Sequence, residues 1–219
     1  MRRCDGVSVD GVPVVRESSG HRHVLLHKPV GCLTTTCETR RCAHDPRRTV
    51  YDYVDAETRR RHCLSIGRLD FNTSGALLFT TDGVLAHALL DPAQRVSKVY
   101  HATLRPSGRD AVADPLSPAE LRLLSVGVVL PASKGKPARL AAGAATNLSV
   151  GCSLELHGGA YHQVKVMFSA IGRSVDTLHR VSFAGVGVES LAPGESRELR
   201  LDEVELLYRQ ARRQRDADP

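Results

Sequence analysis

The chain has 219 residues, enough for one large domain or two closely packed halves around a substantial core. Lys and Arg total 30 against 24 Asp and Glu, a formal net charge of +6, which admits a polyanionic partner without demonstrating one. No apolar run is long enough to span a bilayer, and Met1-Arg2-Arg3-Cys4-Asp5 leads into no signal-peptide core, so the sequence reads as that of an intracellular protein, cytoplasmic or organellar.

In chain order, residues 1–23 are Gly-, Val- and Ser-rich. Val24-Leu25-Leu26-His27 is a short apolar strand ended by Lys28-Pro29. Residues 37–48 are polar, basic and Cys-rich, the composition of an exposed loop. Next comes a strand-turn-strand-helix unit. Within it Ala76-Leu77-Leu78-Phe79 has the continuous apolar character of a buried strand, and Asp82 caps a helix bearing Val84, Leu85, Ala88 and Leu89. Residues 96–104 alternate as a strand, and 105–115 read as a loop. Ser117-Pro118-Ala119-Glu120 is a helix start with a capping box, and Gly127 ends that helix. Residues 131–137 form a basic turn, and 138–146 and 152–157 look like paired strands. After Gly158-Gly159, Tyr161 to Ile171 has helical spacing. Strands near 175–183 and 196–201 follow, then a helix from Asp202 with Glu205 at its third position, and a polar Arg-rich tail over 209–219. Strands outnumber helices and are often adjacent, so the pattern predicts α+β with a mixed, largely antiparallel sheet.

Six cysteines without a secretion signal read as reduced thiols. Cys32, Cys37, Cys42 and His44 loosely follow zinc spacing, but no tight second pair closes the set, so a loop with incidental cysteines is the better reading.

Three places can carry chemistry. Asp70 follows a β-rich stretch and precedes Asn72-Thr73-Ser74-Gly75; it is either a carboxylate presented in a cleft or a turn cap. Arg68, two residues earlier, faces the same side if the segment is extended. Lys98 and Tyr100 share one strand face, as an aromatic platform beside a cation for a base and its phosphate, or as core residues. Aromatics make up 4% of the chain, with no Trp, which argues against stacking of many successive bases. His162 and Lys165 open a helix, where backbone N–H groups favour anions; the alternative is a solvated polar face.

Taken together, these segments resemble one family. GRLDFNTSGALLFTTDG at 67–83 resembles the signature of the RNA pseudouridine synthases of the RsuA type, which modify ribosomal RNA. HKPVG at 27–31, RTVYDYV at 48–54, KVYHATL at 98–104, GAYHQVKVMFSAIG at 159–172 and LHRVSFAGV at 178–186 match in the same order, so the resemblance covers roughly residues 24–201. It implies a curved mixed sheet flanked by helices with a central basic cleft. It implies isomerisation of uridine to pseudouridine in RNA, without cofactor or metal. By position, Asp70 corresponds to the catalytic aspartate, Tyr100 to the tyrosine that stacks on the target base, Lys165 to the basic residue paired with the aspartate, and Leu178 to an apolar pocket residue. Arg68 is placed to meet the RNA backbone beside a flipped-out nucleotide, with Lys98 and His162 as further substrate-binding residues.

Three departures stand out. Only about two dozen residues precede His27, where the family carries a small RNA-binding domain; VSVDGVPV at 7–14 resembles that domain's last strand. Gly158-Gly159-Ala160 replaces an acidic-Gly-basic run, and Val166 stands where a second basic residue is common. The resulting division is 1–23 as a remnant segment, 24–208 as a catalytic domain and 209–219 as a tail. RNA contact then falls to Arg40, Arg41, Arg47 and Arg48, to Lys134 and Lys136, and to the tail arginines, in a monomer recruited where needed by a protein partner. Competing readings are a non-catalytic RNA-binding or ribosome-assembly protein on this fold, and a hydrolase using Asp70 and Asp82 as a carboxylate pair.

Overall fold

The computed structural model describes Ser8–Val9, Val12–Pro13 and residues 20–35, 47–106, 114–130, 138–140 and 142–212. Two short strands, β1 (Ser8–Val9) and β2 (Val12–Pro13), pair as a hairpin, so the 7–14 segment is not a single strand. The main sheet begins with β3 (His23–Lys28), β4 (Leu64–Ser65), β5 (Thr73–Thr80) and β6 (Lys98–Leu104). A separate ladder joins β7 (Val128–Leu130) to β8 (Ala138–Leu140). The main sheet resumes with β9 (Ala144–Asn147), β10 (Cys152–Leu156), β11 (Val175–Phe183), β12 (Val186–Gly187) and β13 (Ser196–Glu198). Its strand order is β13-β3-β5-β11-β6-β10-β9, with β4 on β5 and β12 on β11. Every named pairing is antiparallel except β5 with β11. The helices are α1 (Ala56–Arg60), α2 (Gly83–Leu90), α3 (Pro118–Val126), α4 (Gln163–Ala170) and α5 (Leu201–Arg212). Among the described residues, no helix is long and apolar enough to cross a membrane.

The continuous apolar runs of β3 and β5 have a simple cause: both strands are covered on both faces. Leu25, Ala76 and Leu78 pack with Leu85 and Leu89 of α2 and Leu207 of α5. Val24, Leu26, Leu77 and Phe79 face the opposite way, onto Val50 and Val54. A third cluster, where β6, β10 and β11 meet α3 and α4, holds Leu104, Leu154, Leu156, Phe168 and Met167.

Several expected boundaries shift. The 138–146 segment is two strands with different partners, β8 on β7 and β9 on β10. Between them, Ala142 donates its N–H to Leu124 and Gly143 donates to Glu155, so the chain steps from one ladder to the other. The helix expected at Tyr161 starts at Gln163, because His162 sits in the left-handed region at φ 51°. The last helix starts at Leu201, and its third residue is Glu203, not Glu205; the Glu203 carboxylate accepts the Arg200 N–H at 2.8 Å. That helix runs to Arg212 with Tyr208 and Ala211 packed on the core, so 209–212 belongs to the folded unit. The strand expected at 196–201 ends at Glu198. Cys32, Cys63 and Cys152 are buried free thiols, while Cys4, Cys37, Cys42, His44 and the 131–137 turn lie outside the described residues. No group of three or more metal-ligating side chains converges among the described residues.

Candidate active site

Asp70 lies in the loop that enters β5. Its main chain is held from below by Lys28, a side chain with no exposed surface. The Lys28 ammonium donates to the carbonyls of Pro29 at 3.0 Å, Asp70 at 3.1 Å and Thr73 at 2.9 Å. Burial pushes its pKa below the ordinary lysine range. One residue back, the Thr34 hydroxyl donates to the Leu69 carbonyl at 2.8 Å, and Leu69 itself is buried. The loop is thereby tied at Leu69, Asp70 and Thr73 while the Asp70 carboxylate points outward.

That carboxylate meets the start of α4. Oδ2 receives Lys165 Nζ at 3.1 Å, and Oδ1 lies 3.3 Å from His162 Nε2. His162 is not glycine, so its left-handed backbone is strained; such strain concentrates where a side chain must be aimed. Its ring stacks on Tyr161 at 3.8 Å between centroids, and Tyr161 is 86% exposed at the rim.

Behind the carboxylate is a cavity of about 140 Å³ lined by Asp70, Lys98, Tyr100, His162, Lys165, Leu178 and Arg180, among others. A cavity of about 150 Å³ accommodates a benzene ring, so this one admits a single pyrimidine-sized group. Strand period 2 builds its wall: Lys98 and Tyr100 alternate along β6, Leu178 and Arg180 along β11, and Tyr100 lies directly opposite Arg180. Arg180 is 3% exposed; Nε donates to the Ala76 carbonyl at 2.7 Å and Nη1 to the Tyr100 hydroxyl at 3.4 Å. Gly75 makes this placement possible, since a Cβ there would lie 2.1 Å from the Arg180 carbonyl oxygen. Lys98 is buried beside it, donating to the Val96 carbonyl at 3.1 Å over the Phe183 ring. Burial, then the like charge of Arg180, lowers its pKa to about 8.

A family model described as RNA pseudouridylate synthase matches residues 22–170. The chain is 35% identical to an uncharacterized RNA pseudouridine synthase of Bacillus subtilis, over 92% of this chain and 78% of that one. It is 33% identical to ribosomal small subunit pseudouridine synthase A of Escherichia coli K12, over 90% of this chain and 78% of the relative. A crystal structure of a pseudouridylate synthase superposes with a TM-score of 0.71 at 32% identity, covering 86% of this chain and 74% of that one. This chain belongs to the RNA pseudouridine synthases.

Within this isomerase family's sheet, the residues singled out from sequence fall into two groups. Asp70, Tyr100, Lys165, Lys98, His162, Leu178 and Arg68 all line the one cavity, although they come from four separate elements or loops. Arg68 is exposed at its rim, and the partners of the Asp70 carboxylate are Lys165 and His162 rather than Arg68. Asp82 is remote in role: it accepts the N–H groups of Val84 and Leu85 and the Tyr208 hydroxyl, and it does not line the cavity, which removes the two-carboxylate reading. Arg47 and Arg48 are exposed, their guanidinium groups 5.4 Å from the Phe71 ring centre and 6.0 Å from that of Tyr53. Arg40 and Arg41 lie outside the described residues. Sequence reading missed Lys28 and Arg180. Lys28 closes the apolar run of β3, and Arg180 is in register with Leu178 at period 2 along β11, which was the available signal.

Proposed function

We propose that this enzyme isomerises a uridine of ribosomal RNA, with Asp70 as the catalytic carboxylate. One observation carries this reading: Asp70 stands between Lys165 and His162 at the entrance of a cavity sized for a single base and walled by Tyr100. A uridine must leave the stack to enter such a site. Tyr100 and Leu178 then contact the ring, and Lys165 holds the Asp70 carboxylate at the sugar through their ion pair. The C1′–N1 bond breaks, the uracil turns, and a C1′–C5 bond forms, a sequence that needs confinement more than an external reagent. Arg68, Arg47 and Arg48 meet phosphates along the approach. The ribosomal assignment follows the small and large subunit enzymes among the relatives. The protein acts as a monomer, with RNA as its partner.

The test is Asp70→Asn, which keeps the shape of the side chain and removes its charge. Tritium release from C5-labelled uridine in ribosomal RNA transcripts should stop while RNA binding persists. Turnover within about tenfold of wild type would contradict the assignment, since loss of a covalent or general-base group typically costs at least about 10²-fold.

A further inference from the structure

The cavity wall contains two buried cations that the family's aspartate–lysine pair leaves unused. Arg180 is 3% exposed and Lys98 8% exposed, and neither pairs with a carboxylate among the described residues. Arg180 spends Nε on the Ala76 carbonyl and Nη1 on the Tyr100 hydroxyl, while Nη2 is buried and has no partner among the described protein groups. Lys98 Nζ has one carbonyl acceptor for three donors. Both cations sit against the Phe183 ring, 5.2 and 5.1 Å from its centre, so the ring holds them together on the side of the cavity where β6 meets β11. Two like charges buried side by side are costly. A wall that retains them suits a ligand that brings negative charge or carbonyl oxygens. The carboxylate at the cavity entrance does not serve, because its oxygens already face Lys165 and His162.

We propose that Arg180 and Lys98 form a receptor for the uracil ring that accepts the negative charge passing to the base when its glycosidic bond breaks. This rests on the isomerase reading above. When C1′–N1 breaks, the bonding pair goes to N1 and spreads by conjugation to O2, O4 and C5, leaving C1′ electron-poor beside Asp70. Donors aimed at the carbonyl oxygens stabilise that anion, which is the preorganised donor principle of an oxyanion hole. The same pair then forms C1′–C5. The C5 proton leaves to solvent or a side chain, N1 takes up a proton, and the product is an isomer with no net change in electrons. Retaining both cations on one wall also lets the turned base meet donors in either orientation.

The experiment compares two substrates, an RNA that wild type modifies and the same RNA carrying 5-fluorouridine at the target position. Fluorine withdraws electrons and stabilises the base anion without help from the protein. Single-turnover loss of the target nucleoside is read by nuclease digestion and chromatography. Arg180→Met should slow uridine conversion about 10²- to 10³-fold, the loss typical of one missing oxyanion donor, with RNA affinity unchanged. The loss on 5-fluorouridine should be at least about tenfold smaller. Lys98→Met should show the same asymmetry with a smaller amplitude, and it serves if the Arg180 variant fails to fold, since it removes a buried charge. Equal fold-losses on the two substrates would overturn the proposal and leave these residues as packing elements. If wild type converts no uridine in any ribosomal RNA transcript, the isomerase reading itself fails, and the anion receptor fails with it.

Discussion

Lys28→Met isolates the support beneath Asp70 without touching the cavity. Methionine has similar length and flexibility but donates nothing. The substitution removes three ammonium-to-carbonyl hydrogen bonds, to Pro29, Asp70 and Thr73. The three acceptors are not left equally exposed to loss. Asp70's carbonyl still receives the Thr73 N–H at 3.1 Å, and Pro29's retains the weak Cys32 thiol at 3.5 Å. One to two carbonyls are therefore effectively orphaned, at about 1–3 kcal/mol each. Against this stands relief of a buried charge, the burial that holds Lys28 below the usual lysine range. The net destabilisation should be about 2 kcal/mol, a fall in Tm of about 4–8 °C for a chain of this size. Turnover should fall further than stability does, because the freed loop no longer fixes the Asp70 backbone, and a misplacement of about 1 Å can cost on the order of 10²-fold. Circular dichroism melting gives the first number, and tritium release well below the variant's Tm gives the second. A variant that melts with wild type and turns over at the wild-type rate would show that the loop holds its shape without Lys28, and the argument would be wrong.

Three further outcomes follow from the same geometry. Lys165→Met should abolish most turnover yet cost less than about 1 kcal/mol of stability, because both partners of its ion pair are about one-third exposed and screened; a large drop in Tm would mean the pair is buried in solution. Lys98→Met should stabilise the protein at pH 7 by up to about 3 kcal/mol, since the folded state holds this ammonium's pKa near 8 against 10.5 in the unfolded chain. Between those values the unfolded chain binds more protons, so wild-type stability rises with pH and the advantage of methionine disappears by about pH 10.5; a difference independent of pH in urea titrations would contradict the buried charge. Neutralising Arg40, Arg41, Arg47 and Arg48 to Gln should flatten the logarithmic salt dependence of RNA affinity by up to about three, at about 0.7 per phosphate contact on single strands. An unchanged slope would instead favour delivery of the RNA by a protein partner.

The sequence by itself picked out Asp70, Tyr100 and Lys165 as candidate site residues, together with the strands and the helix start that carry them. Local pattern placed Asp70 on a turn before a buried strand, Tyr100 on an alternating strand and Lys165 at a helix start after Gly158-Gly159, but left each open between a site and a structural role; the resemblance to the family's motifs is what singled them out together. The capping residues Asp82 and Ser117 were legible directly, since cap chemistry is local. What joined these residues was not local. The parallel pairing of β5 with β11 and the antiparallel pairing of β11 with β6 bring residues far apart in the chain into one wall, and no window of sequence encodes a partner strand. His162's aim at Asp70 depends on a left-handed backbone residue that helical spacing does not reveal. Lys28 and Arg180 look like ordinary strand cations until the fold covers both faces of β3 and brings Gly75 against Arg180. Burial decides what a charge does, and burial is set by the tertiary structure.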